Sequence, residues 1–252
     1  MEVFKTFLNT MLHTESNDHL DLPDVSCSIV QVQYDDGDQR PSRFFLFREP
    51  PGFEHVEGKM VREVKEHLQS LAPARSENSR LRITCYQNYS PCTNSLRDDN
   101  KECAQALIQF HSDASGICST YNLTMEIVFV GLYNIIRPYC FYDCVNGTNR
   151  RHCQHPPLYT LGQRPAVSTA NVQGLKSLAQ AGIRLRTFED PDYNAVIDYL
   201  VTQQGADRQT LQAAWDNVRG RRQREDGFMQ RDCEGLGISL SDIATSPAYQ
   251  HP

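Results

Sequence analysis

The chain has 252 residues and a mass of 28.7 kDa, with 39% hydrophobic and 22% charged residues. This suits a globular protein of one large or two small domains. No apolar run approaches the roughly 18 residues that a membrane-spanning helix needs, which excludes a transmembrane protein. The net charge of −6 and the pI of about 5.7 mean that any polyanion binding must come from a local basic patch.

The N-terminal part of the chain predicts a helix followed by a β-hairpin. Apolar residues recur at helical spacing over the first dozen positions. Alternation over Cys27 to Tyr34 predicts a strand, Asp35 to Asp38 a turn, and Phe44 to Phe47 an antiparallel partner strand.

The middle of the chain alternates between helical and strand patterns. The stripe that begins after His55 predicts a helix, with apolar positions at Val56, Met60, Val64, Leu68 and Leu71. Leu81 to Tyr86 predicts the next strand and a second helix begins near Cys103. The β-branched run Leu123 to Val130 predicts a buried strand at the centre of the sheet.

A long Cys- and Arg-rich excursion, Tyr133 to Val167, separates that strand from the last elements. Those elements are a helix capped by Gly182, a strand and two further helices, at Val172–Ala181, Ile183–Phe188, Asp192–Gln203 and Arg208–Val218. The order predicts an α/β protein with a mixed five-stranded sheet flanked by about six helices. We expect one domain over residues 1–220, with its core over about 27–201, and a polar tail of doubtful order over 221–252.

Three potential metal ligands lie near predicted helix starts. They are His55, Cys92 (after Pro91) and Cys103. Zinc sites with an open fourth position use three protein ligands, and helix starts stabilise thiolates. Glu57, two residues after His55, is placed to carry protons rather than to bind the metal.

The third ligand has alternatives, because ten residues, Thr93 to Glu102, separate the two cysteines. Ser95 has the shorter two-residue spacing, but a hydroxyl is a poor zinc ligand. Asp98 and Asp99 also carry suitable oxygen atoms. We favour Cys103 because a thiolate is the softer and stronger donor.

The motif His-x-Glu followed by Pro-Cys resembles the signature of zinc nucleobase deaminases. The segment Asn88–Cys92 closely resembles the aromatic-Ser-Pro-Cys element of the AID/APOBEC polynucleotide cytosine deaminases, and Gly131-Leu132-Tyr133 is similar to their specificity loop. Val172 to Tyr199 looks like their later helix-strand-helix, and the resemblance covers roughly Cys27 to Val201.

The resemblance implies a three-layer α/β/α cytidine-deaminase-like fold and one zinc ion per chain. It implies hydrolytic conversion of cytosine to uracil, most simply in single-stranded DNA or RNA, with Glu57 as the catalytic proton carrier. Tyr89 and Tyr133 would then sandwich the base, and the backbone near Ser90 would contact its amino group.

Two departures keep other functions open. The Asn that the family carries shortly before His-x-Glu is missing from Arg48–Glu54, and Tyr89 replaces the usual Trp. The missing Asn and the acidic pI favour free cytidine or deoxycytidine as the substrate. A catalytically silent secreted module that keeps zinc for stability is a third hypothesis, against which the intact Glu57 argues.

The nine cysteines favour an oxidising compartment. With two cysteines on zinc and Cys85 as a buried free thiol, six remain for three disulfide bonds: Cys27, Cys118, Cys140, Cys144, Cys153 and Cys233. Reduced core cysteines are the alternative. Three Asn-x-Ser/Thr triplets, at Asn88, Asn122 and Asn146, are close to chance expectation. Since the first residues lack a signal-peptide pattern, we expect either a cytosolic protein or the mature form of a secreted one, and the cysteine count favours the second.

Two basic segments are candidates for phosphate contacts. Arg150-Arg151-His152 lies in the same excursion as Tyr133 and is therefore the better placed of the two. The run Arg219 to Arg224 is compatible either with a phosphate-binding edge or with the solvated end of a helix.

Overall fold

The three-dimensional structure is a computed structural model. It describes residues 26–35, 41–49, 55–71, 73, 79–93, 102–132, 135 and 164–241. The predicted opening helix, most of the excursion after Leu132 and the end of the polar tail lie outside the described residues.

Five strands form one mixed sheet in the order β2-β1-β3-β4-β5. Their bounds are Ser26–Asp35 (β1), Arg43–Glu49 (β2), Arg80–Tyr89 (β3), Asn122–Gly131 (β4) and Arg184–Thr187 (β5). β1 pairs antiparallel with both β2 and β3, whereas β3–β4 and β4–β5 are parallel. The predicted hairpin and the mixed five-stranded sheet are therefore confirmed.

Helices cover both faces of the sheet. The described helices are Val56–Gln69 (α1), Cys103–Ile117 (α2), Arg164–Gln180 (α3), Asp190–Gln204 (α4) and Arg208–Gly235 (α5). α1, α2 and α3 pack on one face, where Met60, Leu107 and Leu175 meet the sheet. α4 packs on the other face, against residues such as Val128. The predicted three-layer α/β/α class is confirmed.

Buried side chains explain why these segments take these conformations. In α1 the buried apolar residues, Val56, Met60, Val64 and Leu68, recur every four positions and so form one stripe. In β4 the six residues from Met125 to Val130 are all buried, as expected for a strand covered on both faces. β4 is thus an interior strand, but the central position that we predicted for it belongs to β3.

The last helix extends beyond its predicted end at Val218. α5 continues without a break through residue 220 to Gly235. Leu211 and Trp215 in its first half pack on the face that α4 covers, while Met229 and Cys233 in its second half join the core of the opposite face. Residues up to Ile238 therefore belong to the packed structure.

A buried ionic network holds β5 and α4 against β4. Arg186 donates two hydrogen bonds to the Asp192 carboxylate, at 2.6 and 2.8 Å, and its remaining N–H groups face Glu126. All three residues are at most 3% exposed. Buried charges need such partners, because an unpaired one is strongly destabilising. The network therefore fixes β5 and the start of α4 beside β4.

Four strands end at the same edge of the sheet. Since β1 is antiparallel to both β2 and β3, β2 runs in the same direction as β3, β4 and β5. We call this side the carboxyl edge. Ligand sites in open α/β sheets lie outside such edges. His55 follows the end of β2, Cys92 follows β3 and Leu132 follows β4, so the chain brings all three to this edge.

Candidate metal centre

Three side chains from separate parts of the chain meet at the carboxyl edge. His55 Nδ1 lies 3.0 Å from Cys103 Sγ and 3.1 Å from Cys92 Sγ, and the two sulfur atoms are 3.4 Å apart. Both cysteines are buried and His55 is half-buried. The three ligands predicted from the sequence are therefore brought together.

Helix starts and a backbone hydrogen bond place these donors. His55 is the N-cap residue of α1 and Cys103 is the first residue of α2. The backbone N–H of Ala104 donates to the carbonyl oxygen of Cys92 at 3.0 Å. This bond joins the two ends of the ten-residue insert, so the unusual spacing of the cysteines does not keep their sulfur atoms apart.

The donor set fits a zinc ion. Zinc takes thiolate sulfur at about 2.3 Å and imidazole nitrogen at about 2.0–2.1 Å in tetrahedral geometry, so neighbouring donors stand roughly 3.5–3.8 Å apart. The observed separations of 3.0–3.4 Å require each donor to withdraw by only a few tenths of an ångström. His and Cys together are the donors that favour zinc over Mg²⁺ or Ca²⁺. Within the described residues no other cluster of this kind occurs.

The electrostatics of the cysteine pair favour a metal-binding thiolate. Hydrogen bonding with Cys103, together with His55, lowers the pKa of Cys92 to about 5. The same interaction with Cys92 raises the pKa of Cys103, and burial raises it further. The pair thus favours the thiolate form of Cys92. Metals coordinate the thiolate form.

Glu57 lies beside this centre in the first turn of α1 and is 6% exposed. Burial raises the pKa of its carboxyl group, and the neighbouring Cys92 charge adds to the increase. Gln87 on β3, which the sequence analysis did not single out, places its amide Nε2 3.5 Å from Glu57 Oε1. Its sequence context gave no signal, because β3 carries other polar residues, among them Arg82, Thr84 and Asn88.

The other predicted site residues are placed only in part. The backbone N–H of Ser90 donates to the Gly131 carbonyl oxygen at 2.8 Å, and Tyr89 pairs with Gly131 in the sheet. The end of β3 and the start of the segment after β4 are therefore adjacent. Tyr133, Ser95, Asp98 and Asp99 lie outside the described residues. The substrate contacts expected of Tyr89, Ser90 and Tyr133 stay predictions.

The described cysteines away from the centre are buried in the core. No disulfide bond joins any of the described cysteines, which include Cys27, Cys118 and Cys233. Cys140, Cys144 and Cys153 lie outside the described residues. Cys85 is the buried free thiol that the sequence predicts, and burial raises its pKa to about 12.

One residue of the basic run at 219–224 is already engaged. The Arg219 guanidinium forms an ion pair with Asp190 at the start of α4. This pairing favours the interpretation of Arg219 as a helix residue that contacts a neighbouring helix. Arg150-Arg151-His152 lies outside the described residues.

Known proteins resemble this chain in structure at low sequence identity. No protein-family model matches the chain, and no curated protein matches its sequence. Among solved structures, the chain is similar to the Rib2 deaminase of Aspergillus oryzae, a C-terminal deletion mutant. The two share 14% identity over 83% of this chain and 94% of that chain, with a TM-score of 0.37.

None of the helices in the described part of the chain combines the length and the apolar character that crossing a bilayer requires.

Proposed function

We propose that this protein is a zinc-dependent hydrolytic deaminase that converts cytosine to uracil in single-stranded polynucleotides. The observation that carries the proposal is the convergence of His55, Cys92 and Cys103 beside the buried carboxyl group of Glu57. The His-x-Glu and Tyr-Ser-Pro-Cys motifs that resemble those of the AID/APOBEC deaminases supply the same residues.

The number of ligands supports catalysis over a purely structural zinc site. Structural sites are closed by four protein ligands, whereas catalytic sites keep one position open. Within the described residues three donor atoms meet, and a fourth His, Cys, Asp or Glu does not join them. A buried carboxyl group is costly in a site that serves stability alone, and Glu57 is 6% exposed.

The residues of the site divide the chemistry among them. His55, Cys92 and Cys103 would hold the zinc, whose Lewis acidity makes water nucleophilic at neutral pH. Glu57 would take a proton from that water, deliver it to N3 of the pyrimidine and later protonate the departing ammonia. The raised pKa of Glu57 suits a group that must both accept and donate a proton. Gln87 Nε2 faces Glu57 Oε1 and favours one orientation of the carboxyl group.

The sequence of the segment after β4 supports a polynucleotide substrate. The backbone N–H of Ser90 donates a hydrogen bond to the Gly131 carbonyl oxygen. Leu132, the next residue, therefore leaves the sheet beside Ser90. The sequence that follows carries Tyr133 and the pair Arg150-Arg151. An aromatic ring stacks on bases and arginines contact phosphates, which are the two needs of single-strand binding.

Free cytidine is the second candidate substrate. The net charge of −6 gives no general attraction for a polyanion, and the segment before His55 lacks the Asn of the polynucleotide deaminases. A nucleoside carries no phosphate charge and needs no such attraction.

A deamination assay with matched substrates tests the proposal. Zinc-loaded protein is given a single-stranded DNA with one cytosine, the RNA equivalent, the duplex form and free cytidine. We expect kcat/KM for one of the single strands to exceed that for cytidine by about tenfold or more, because contacts remote from the base add binding energy. Equal or faster turnover of cytidine would identify a nucleoside deaminase. Zinc-loaded protein that converts none of the four contradicts the deaminase proposal.

We also propose that the protein is secreted, on the basis of its nine cysteines. On expression through a secretory pathway, glycopeptide mass spectrometry should find a glycan on Asn122, which is exposed at the start of β4. Asn88 should carry none, because it is 2% exposed and its Oδ1 accepts a hydrogen bond from the Cys27 backbone N–H at 3.0 Å. A glycan on Asn88, or none on Asn122 in protein recovered from the medium, contradicts this prediction.

A further inference from the structure

The middle of α3 contacts the backbone directly after the metal ligand Cys92. Asn171 is fully buried, and its Oδ1 accepts a hydrogen bond from the Thr93 backbone N–H at 2.8 Å. Gly174 lies three residues further along α3 and hence on the same face of the helix. We propose that Asn171 and Gly174 are positioning residues that hold the Cys92–Thr93 segment and thereby fix the Cys92 ligand of the metal centre. We call this pair of contacts the clamp. The inference rests on the proposed zinc site.

Gly174 permits a close approach that no other residue allows. A Cβ atom at this position would stand 1.7 Å from Thr93 Oγ1, 3.1 Å from Thr93 Cβ and 3.2 Å from Ala104 Cβ. Its backbone is not in the left-handed region that requires glycine, since the described glycines with positive φ are Gly182, Gly205 and Gly237. Alanine is the better helix former. The contact with Thr93 is therefore the physical reason for glycine at position 174.

The clamp completes a set of three backbone anchors around Cys92. Ser90 N–H is bonded to the Gly131 carbonyl, the Cys92 carbonyl accepts from Ala104 N–H, and Thr93 N–H is bonded to Asn171. These anchors come from β4, α2 and α3, so three elements fix the ligand segment. Removing a group that orients a ligand typically costs about 10–100-fold in metal affinity. A shift of Thr93 would move the adjacent Cys92 and so disturb the arrangement of the three donors.

The clamp holds the first residue of the insert. Thr93 follows Cys92 directly, and its backbone N–H donates a hydrogen bond to Asn171 on α3.

A rescue experiment tests the contact between Gly174 and Thr93. Zinc affinity is measured by chelator competition, and the visible spectrum of bound Co²⁺ reports the coordination geometry. For Gly174→Ala we expect a loss of about tenfold or more in zinc affinity and a changed Co²⁺ spectrum, as when groups that orient a ligand are removed. Thr93→Ala alone should stay close to wild type. The double variant should recover most of the loss, because the atom that would be 1.7 Å from the new Cβ is then absent.

Asn171→Ala tests the hydrogen bond, and Leu178→Ala serves as the matched control. Leu178 is a fully buried residue of α3 that packs in the core. Its truncation should lower thermal stability without altering the Co²⁺ spectrum. Asn171→Ala should accelerate hydrogen exchange of the Thr93 amide, even in metal-free protein, and should weaken zinc binding about tenfold.

The outcomes separate the clamp from the proposed function. Wild-type zinc affinity in Gly174→Ala, a double variant no better than Gly174→Ala, or unchanged Thr93 exchange in Asn171→Ala would each overturn the clamp. If folded wild-type protein binds no zinc, the proposed function fails. In that case, hydrogen exchange of the Thr93 amide in metal-free Asn171→Ala and wild-type protein still tests the clamp.

Discussion

Replacing Glu57 by glutamine is expected to abolish turnover while leaving the fold and the zinc in place. Glutamine has nearly the same shape but cannot accept or deliver a proton at neutral pH. General acid–base groups typically contribute about 10²–10⁴-fold to the rate, so kcat should fall by that factor. The position is 6% exposed and tolerates an uncharged amide more readily than a charge. Single-turnover deamination and elemental analysis of the same sample provide the measurement.

The matched control for Glu57 is Glu66→Gln on the same helix. Glu66 is exposed and lies more than two turns further along α1. The control should keep wild-type kcat. Activity of Glu57→Gln within tenfold of wild type, with full zinc occupancy, would remove Glu57 from the mechanism.

Replacing Cys103 by alanine is expected to release the metal. His55 and Cys92 would then be the only described donors, and two protein ligands do not hold zinc against a chelator. Since removing a group that merely orients a ligand costs about 10–100-fold in affinity, loss of the ligand itself should cost more. Elemental analysis after dialysis against a chelator should show well under one zinc per chain.

Cys118→Ala is the appropriate comparison for Cys103. Cys118 is buried just beyond the other end of α2 and does not belong to the metal cluster. This variant should keep one zinc per chain even if its melting temperature falls. Full zinc occupancy in Cys103→Ala would return Asp98 or Asp99 to consideration as the third ligand.

The sequence predicted the regular parts of the fold because burial there follows a simple period. The stripe of α1 and the apolar run from Ile127 to Val130 in β4 each match one pattern. The second half of α5 did not match such a pattern, because its described core residues, Met229 and Cys233, stand among many polar residues. Its helical state depends on contacts with distant elements, which no local pattern records.

The candidate site was predictable where chemistry restricts the residue type. A zinc site needs His and Cys, so His55, Cys92 and Cys103 stood out despite their spacing. Gln87 and Asn171 did not stand out, because a single amide in a strand or a helix is common on a protein surface. Their importance follows from burial and from partners far away in the chain, at Glu57 and Thr93.

The hydrogen bond between Ala104 and Cys92 has an entropic consequence for metal affinity. In a flexible chain, bringing the two cysteines together across ten residues instead of two would cost about 1.4 kcal/mol more in loop-closure entropy. Here the fold itself closes the loop, since α2 and β3 already meet through that bond. The loop-closure entropy is therefore part of the free energy of folding and not of zinc binding. Zinc binds a pair of sulfur atoms that the fold has already brought together. Lengthening the insert further should weaken overall stability slightly and leave the intrinsic affinity for zinc unchanged.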